Sequence, residues 1–384
     1  MVRAKRPTPL VLIAATALLA TTSGVAADAE SRASTASPLA HPIVFTRFLP
    51  GADTGSVYRI DAGETVKHLI RSGVLDFALL SPDATHFADV AFTPDGLGTT
   101  AIFNVDGSGY RRLPTSGPAI PPNGLPGGTS VAGGTRVAAA AGDPGNIPPS
   151  GIFSRRSSDG RGVIRLTRAG TRFDYPVASS PDGSKLLFFR PHAKNETSDS
   201  APQDLFVVGA KGGRPTRLTP RRVTTAVVFS YDSVSWSPHG TRVAVAAARG
   251  RFWNRSIHSV YIASVDGSSF RRIGPRGNIW DAVWSRNGRW IAFSMATKAT
   301  GGLFQLYLMH PDGSGVRQLT SGSDGLSSLH PTWSPESDQL LFLRGTGNSG
   351  NANIWSINVD GSHLYQVTHR PGGYGTGLAL AWLP

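Results

Sequence analysis

The 384-residue chain has no cysteine, so no disulfide braces its fold and no thiol is available to carry a lipid. Charged residues make up only 16%. Beyond the N-terminal segment no stretch approaches the roughly 18 apolar residues that a membrane-spanning helix requires. The ten histidines are scattered, without a His-x-x-x-His pair, so their spacing prescribes no metal site and no cofactor is expected. What is abundant is glycine, 45 residues, and proline, 28, alongside Val, Ile, Phe and Trp. That mixture predicts many short strands joined by tight turns.

Arg3, Lys5 and Arg6 precede an apolar run from Leu10 to Ala20 and then small residues. This reads as a secretory signal peptide over 1–29, cleaved after Ala27 or Ala29 and followed by a short linker over 30–41. The mature protein is expected outside the cytoplasm, secreted or in the periplasm or cell envelope, without a transmembrane segment and as a monomer. Formal charge is +13, and Arg3, Lys5 and Arg6 of the signal supply three of the positive charges. The other cations include Arg111, Arg112, Arg165, Arg217, Arg271, Arg272 and Arg317, which recur at equivalent repeat positions. They therefore form a distributed belt and not a groove-tracking patch, which speaks against a nucleic-acid partner.

The repeat is plain in Ser180-Pro-Asp-Gly-Ser-Lys-Leu-Leu-Phe-Phe, Ser237-Pro-His-Gly-Thr-Arg-Val-Ala-Val and Ser285-Arg-Asn-Gly-Arg-Trp-Ile-Ala-Phe. Degenerate copies start at Ser81, Val131 and Ser334, and Leu383-Pro384 repeats the context. The spacings from 81 to 383 are 50, 49, 57, 48, 49 and 49, the period of a four-stranded propeller blade. In each period strand A ends in Trp-Ser, a Ser-Pro-Asp-Gly turn leads into strand B, and a variable loop leads to strand C. An Asp-Gly-Ser turn (Asp106, Asp266, Asp312, Asp360) then leads to strand D and its Arg-x-Leu-Thr ending.

The first predicted strand, Ile43 to Arg47, is of type B, and the last, Gly377 to Trp382, is of type A. Joining them predicts an all-β fold over 42–384. It is a single β-propeller of seven four-stranded blades, six being the alternative count, closed by pairing the C-terminal strand with the N-terminal one.

Trp-Ser-Pro-Asp-Gly-x-x-Ile-Ala-Phe followed by Asp-Gly-Ser-x-x-Arg-x-Leu-Thr resembles the WD40-like repeat of the TolB-type propellers. The resemblance covers the mature chain. It implies a propeller scaffold, found in periplasmic TolB, in prolyl-oligopeptidase-like enzymes and in some secreted lyases. No Gly-x-Ser-x-Gly is present to supply a hydrolase domain.

Recurrent positions are read as structural: the Trp at the end of strand A (Trp236, Trp284, Trp333, Trp382) as packing between blades, the Asp-Gly-Ser Asp as turn formers. Functional residues are sought where the repeat is broken, on the face of the variable B–C and D–A connections. These are Asp76, Asp174, Tyr175, Asp232, Trp280, Asp281 and His330 at the start of A strands, with Trp253 on a B–C loop. The expected role is a binding module for a protein or cell-envelope component, the clustered Asp favouring a cationic segment. The alternative is a lyase or hydrolase acting on an extracellular polysaccharide, with His330 as a possible metal ligand.

Overall fold

The computed structural model describes residues 39–48, 54–65, 67–74, 79–81, 83–92, 98–113, 129–131, 133–143, 146–168, 174–192, 203–220, 234–249, 257–346, 352–369, 373–374 and 380–384. They build a single all-β propeller. β1 (Ile43–Phe48), β2 (Gly55–Ile60) and β3 (Lys67–Val74) begin the first sheet. Three four-stranded sheets follow. They are β4 (Leu79–Leu80), β5 (His86–Phe92), β6 (Gly98–Asn104) and β7 (Arg111–Arg112); β8 (Thr129–Val131), β9 (Arg136–Asp143), β10 (Asn146–Arg156) and β11 (Ile164–Arg165); and β12 (Tyr175–Ser179), β13 (Lys185–Pro191), β14 (Gln203–Gly209) and β15 (Thr216–Arg217).

An eight-stranded sheet comes next: β16 (Val234–Trp236), β17 (Arg242–Arg249), β18 (Ile257–Ser264), β19 (Phe270–Ile279), β20 (Val283–Trp284), β21 (Ile291–Ala296), β22 (Phe304–Met309) and β23 (Arg317–Gln318). β24 (Ser327–Trp333), β25 (Gln339–Gly345), β26 (Ala352–Asn358) and β27 (Tyr365–Gln366) make the last four-stranded sheet. β28 (Gly373–Tyr374) and β29 (Leu380–Trp382) both pair with β1, which gives the first sheet five strands.

Separate sheets for every repeat are therefore not what forms: among the described residues there are six sheets, and five of them are single blades. The sixth fuses two repeat units because β19, ten residues long, continues past a register shift at Ser259/Val260 as far as Ile279. Its end reaches β21, where Asn278 faces Ala296 and Ile279 faces Met295.

The core lies between adjacent sheets. Tyr175, Leu187 and Val207 of one sheet pack with Trp236, Val243 and Val245 of the next, and Leu306, Leu308, Trp333 and Phe342 fill another seam. The repeat residues explain the seams. The anchor serines are buried, and each hydroxyl accepts the amide that opens strand B, as in Ser180 from Lys185 at 2.9 Å and Ser285 from Trp290 at 2.9 Å. The A-strand indoles donate backwards to the preceding repeat: Trp236 to Ala178 O at 3.3 Å, Trp333 to Val283 O at 3.0 Å, Trp382 to Thr332 O at 3.3 Å. Trp284 instead bonds Gly288 within its own turn, at 3.2 Å.

The turn glycines make the outer seam. A Cβ on Gly313 would lie 2.5 Å from the amide nitrogen of Gly274, and one on Gly107 2.5 Å from Ile70 O, each in the preceding outer strand. Part of the expected arginine belt is also spent on seams. Arg111 donates to Ser157 O at 2.5 Å and Arg317 to Val359 O, each reaching the following repeat. No helix among the described residues is long and apolar enough to cross a membrane.

Candidate functional site

The segments that lead into the A strands carry the residues that break the repeat. Asp174 precedes β12, and its carboxylate is fully buried. Arg190, at the end of β13, grips it with Nε at 2.6 Å and Nη2 at 2.7 Å, and the Thr167 hydroxyl donates to it at 2.5 Å. This two-pronged, charge-assisted contact fixes the segment to its own B strand. The Arg190 guanidinium also lies over the rings of Phe206 and Phe188, at 5.0 and 5.4 Å from their centroids. Tyr175 is the first residue of β12 and is 4% exposed, in the core beside Phe189 and Leu205.

The second cluster spans two repeats. Asp281, also fully buried, accepts the Ser294 hydroxyl and, at 3.0 Å, the amide of His330 from β24. The His330 ring approaches it with Nδ1 3.2 Å from Oδ1. His330 stands at φ 58, in a bulge between Leu329 and Thr332, just before Pro331. Proline supplies no ladder donor, so a bulge is the natural place for it, and the left-handed backbone of a non-glycine residue there is held only by its surroundings. Trp280 is half-buried, its amide donating to Ser294 O at 3.1 Å and its ring edge-on to Phe304 at 6.2 Å. Asp76, Asp232 and Trp253 lie outside the described residues.

As the molecule stands, then, Asp174 and Asp281 do not reach solvent, and the expected display of free carboxylates toward a cationic segment is not their arrangement. Asp174 is neutralised by Arg190, and Asp281 is the hub of a buried polar knot. In that knot the carboxylate, and not the imidazole, joins the partners, so Ser294 is not placed as a hydroxyl activated by a histidine base.

Reading the sequence missed the groups that surround Asp174. Arg190 faces Asp204 across the β13–β14 ladder. Asp204 in turn accepts from Arg217 at 2.6 Å and Thr219 at 2.6 Å, and lies 3.1 Å from His192 Nε2. The Arg-x-Leu-Thr ending carried the signal. Its Thr hydroxyl meets a polar side chain at the start of strand C in three repeats, Asp204, Gln305 at 2.8 Å and Asn353 at 3.3 Å. In β10 that position is Gly151, at φ 137, where a Cβ would meet Thr167 O at 2.3 Å. With no polar side chain there, Thr167 turns to Asp174 instead. Arg344, at the same place in β25 as Arg190 in β13, likewise ties its incoming segment through Ser328 Oγ at 2.9 Å and Asp324 at 2.8 Å.

Residues 175–376 match the family of TolB β-propeller domains. The chain is 24% identical over 258 residues to an uncharacterized protein of Agrobacterium fabrum, covering 62% of this chain and 80% of that one. It is 37% identical over 71 residues to the Tol-Pal system protein TolB of Rhizorhabdus wittichii, covering 18% of this chain and 14% of that protein's length. The crystal structure of TolB from Acinetobacter baumannii superposes with a TM-score of 0.51 at 15% identity, over 91% of this chain and 68% of that one. The β-propeller domain of the Trilobed protease from Pyrococcus furiosus gives 0.58 at 10%, over 86% and 95%. Oligogalacturonate lyase from Vibrio parahaemolyticus gives 0.54 at 13%, over 82% and 91%. At these identities the solved structures speak for the fold alone.

Proposed function

The chain belongs to the family of TolB β-propeller domains, and from that premise we propose that it is an exported binding module. It recognises a protein or another cell-envelope component through the face of the B–C and D–A connections. The observation that carries this reading is the state of Asp174 and Asp281. Both carboxylates are fully buried and engaged by neighbours, so they stiffen the A-strand approaches and do not form an exposed acid and base. Among the described site residues the contact falls to the half-buried Trp280, while Asp174, Tyr175, Asp281 and the buried His330 hold the approaches in place; Asp76, Asp232 and Trp253 remain proposed contacts from the sequence.

The ring has seven blades. Supporting this, the eight-stranded sheet holds two successive A-to-D series, and β29 lies beside β1 with Ile43 facing Trp382, Val44 facing Ala381 and Phe45 facing Leu380. Leu383 N also donates to Pro42 O at 2.8 Å. The basic and apolar N-terminal segment supports export, with cleavage after Ala27 or Ala29, and the naming of relatives for the Tol-Pal system supports an envelope setting. The second reading, a polysaccharide lyase or hydrolase, draws on the shared fold of the oligogalacturonate lyase.

The test compares the full chain with Trp280→Ala in capture from envelope and culture-supernatant fractions, both proteins melting alike. An aromatic anchor is worth about 2 kcal/mol or more, so capture of the wild-type partner should weaken by roughly 30-fold. Equal capture by the two proteins, or product release from a polysaccharide, would overturn the binding reading.

A further inference from the structure

The turn between β2 and β3 stands where later repeats carry Asp-Gly-Ser, and it departs from them. At Asp106, Asp266, Asp312 and Asp360 one carboxylate oxygen accepts both the amide and the hydroxyl of the serine two residues on, at 2.6–2.9 Å. Asp61-Ala62-Gly63-Glu64 offers no such hydroxyl, and the Asp61 side chain turns elsewhere. Arg59 Nε holds its Oδ1 at 2.5 Å, while its Oδ2 lies 4.0 Å from His68 Nε2. The same His68 nitrogen is 2.8 Å from Glu64 Oε2, and one ligand atom of each of the three residues lies within 4.8 Å of the others. Lys67, the cation next in the chain, is drawn off over the ring of Tyr58, 4.7 Å from its centroid.

We propose that Asp61, Glu64 and His68 bind a divalent first-row transition-metal ion of the zinc class. The donor set is one imidazole nitrogen and two carboxylate oxygens, which suits such an ion better than calcium, whose sites are six to eight oxygens. Metal–donor bonds of about 2.0–2.2 Å in a tetrahedron separate neighbouring donors by roughly 3.3–3.5 Å. The 2.8 and 4.0 Å separations bracket that span, so small side-chain rotations complete the site. Arg59 plays the outer-shell part, fixing the Asp61 carboxylate through the oxygen the metal does not use. The three side chains are 36–54% exposed, leaving the remaining positions to water or to a donor from another molecule. The site lies on the C–D turn side, away from the face assigned to binding above, and does not depend on that reading.

The untagged full chain, stripped with chelator, is titrated with zinc chloride by calorimetry. The account expects one zinc per chain, at least tenfold weaker binding in His68→Ala and in Glu64→Gln, and a smaller loss in Arg59→Ala, which keeps all three donors. Without metal, wild type and His68→Ala should melt together, and zinc should raise the melting temperature of the wild type alone. A His68→Ala isotherm superimposed on that of the wild type, or no saturable zinc binding by the wild type, would overturn the site and leave an ordinary surface His–Glu pair.

Discussion

Asp182 shows how much one repeat residue does. Ser180 donates to its carboxylate at 2.5 Å, and Ser184 donates through its hydroxyl at 2.7 Å and its amide at 3.0 Å. These bonds favour the charged form and bring its pKa down to about 2, the Ser180 hydroxyl contributing most and the Ser184 hydroxyl and amide next. The folded value lies below the ordinary Asp value of about 3.9, so the contribution to stability is complete above about pH 4. It is lost as pH falls through 2. Asp182→Ala should therefore lower the melting temperature at pH 7 by about 2 °C, the effect of an exposed group worth about 1 kcal/mol or less. Near pH 2 the two proteins should melt alike, and thermal scans at both values check this. The role was legible in Ser-Pro-Asp-Gly, because turn chemistry is local. The buried Asp174 was not, because an Asp before a strand reads the same whether it faces solvent or an arginine sixteen residues on.

Among the elements, the seams between repeats decide which motif residues can change. Gly313 has φ 93, and its missing Cβ leaves room for the backbone of Gly274. Gly361, at φ 91, has nothing within 4 Å of its own would-be Cβ. Both substitutions to Ala carry left-handed strain of about 1 kcal/mol, but only Gly313→Ala also pushes on the outer strand of the preceding repeat unit. It should cost about 2 kcal/mol or more beyond Gly361→Ala in urea unfolding, and equal losses would show that the seam yields freely. Strand order was readable from period and motif because each blade pairs neighbours in sequence. The fusion of β19 to β21 was not, since it depends on how far a long strand runs past its bulge, which periodicity does not encode. The Asp61, Glu64 and His68 cluster escaped a search for paired histidines because its donors are mixed and are gathered by one hairpin.

For the whole molecule, a chain without a cysteine must hold its ring by packing and hydrogen bonds, and an open ring would present strand edges to solvent. In the ring proposed above, closure would rest on three residues, Leu380 to Trp382, which lie beside Ile43 to Phe45, and on the Trp382 indole, which reaches back to Thr332. The approaches to the A strands are fastened both within a blade, by Arg190 on Asp174, and between blades, by Asp281 on the His330 amide. The absence of native cysteine makes the pairing directly measurable in a Val44→Cys/Ala381→Cys double variant. Facing positions of an antiparallel pair lie within the span a disulfide bridges. The account predicts that mild oxidation of the native protein removes both titratable thiols by forming an intramolecular bond between the two ends of the chain. Two thiols that stay free in the folded protein, or cross-link only between molecules, would contradict the closed ring.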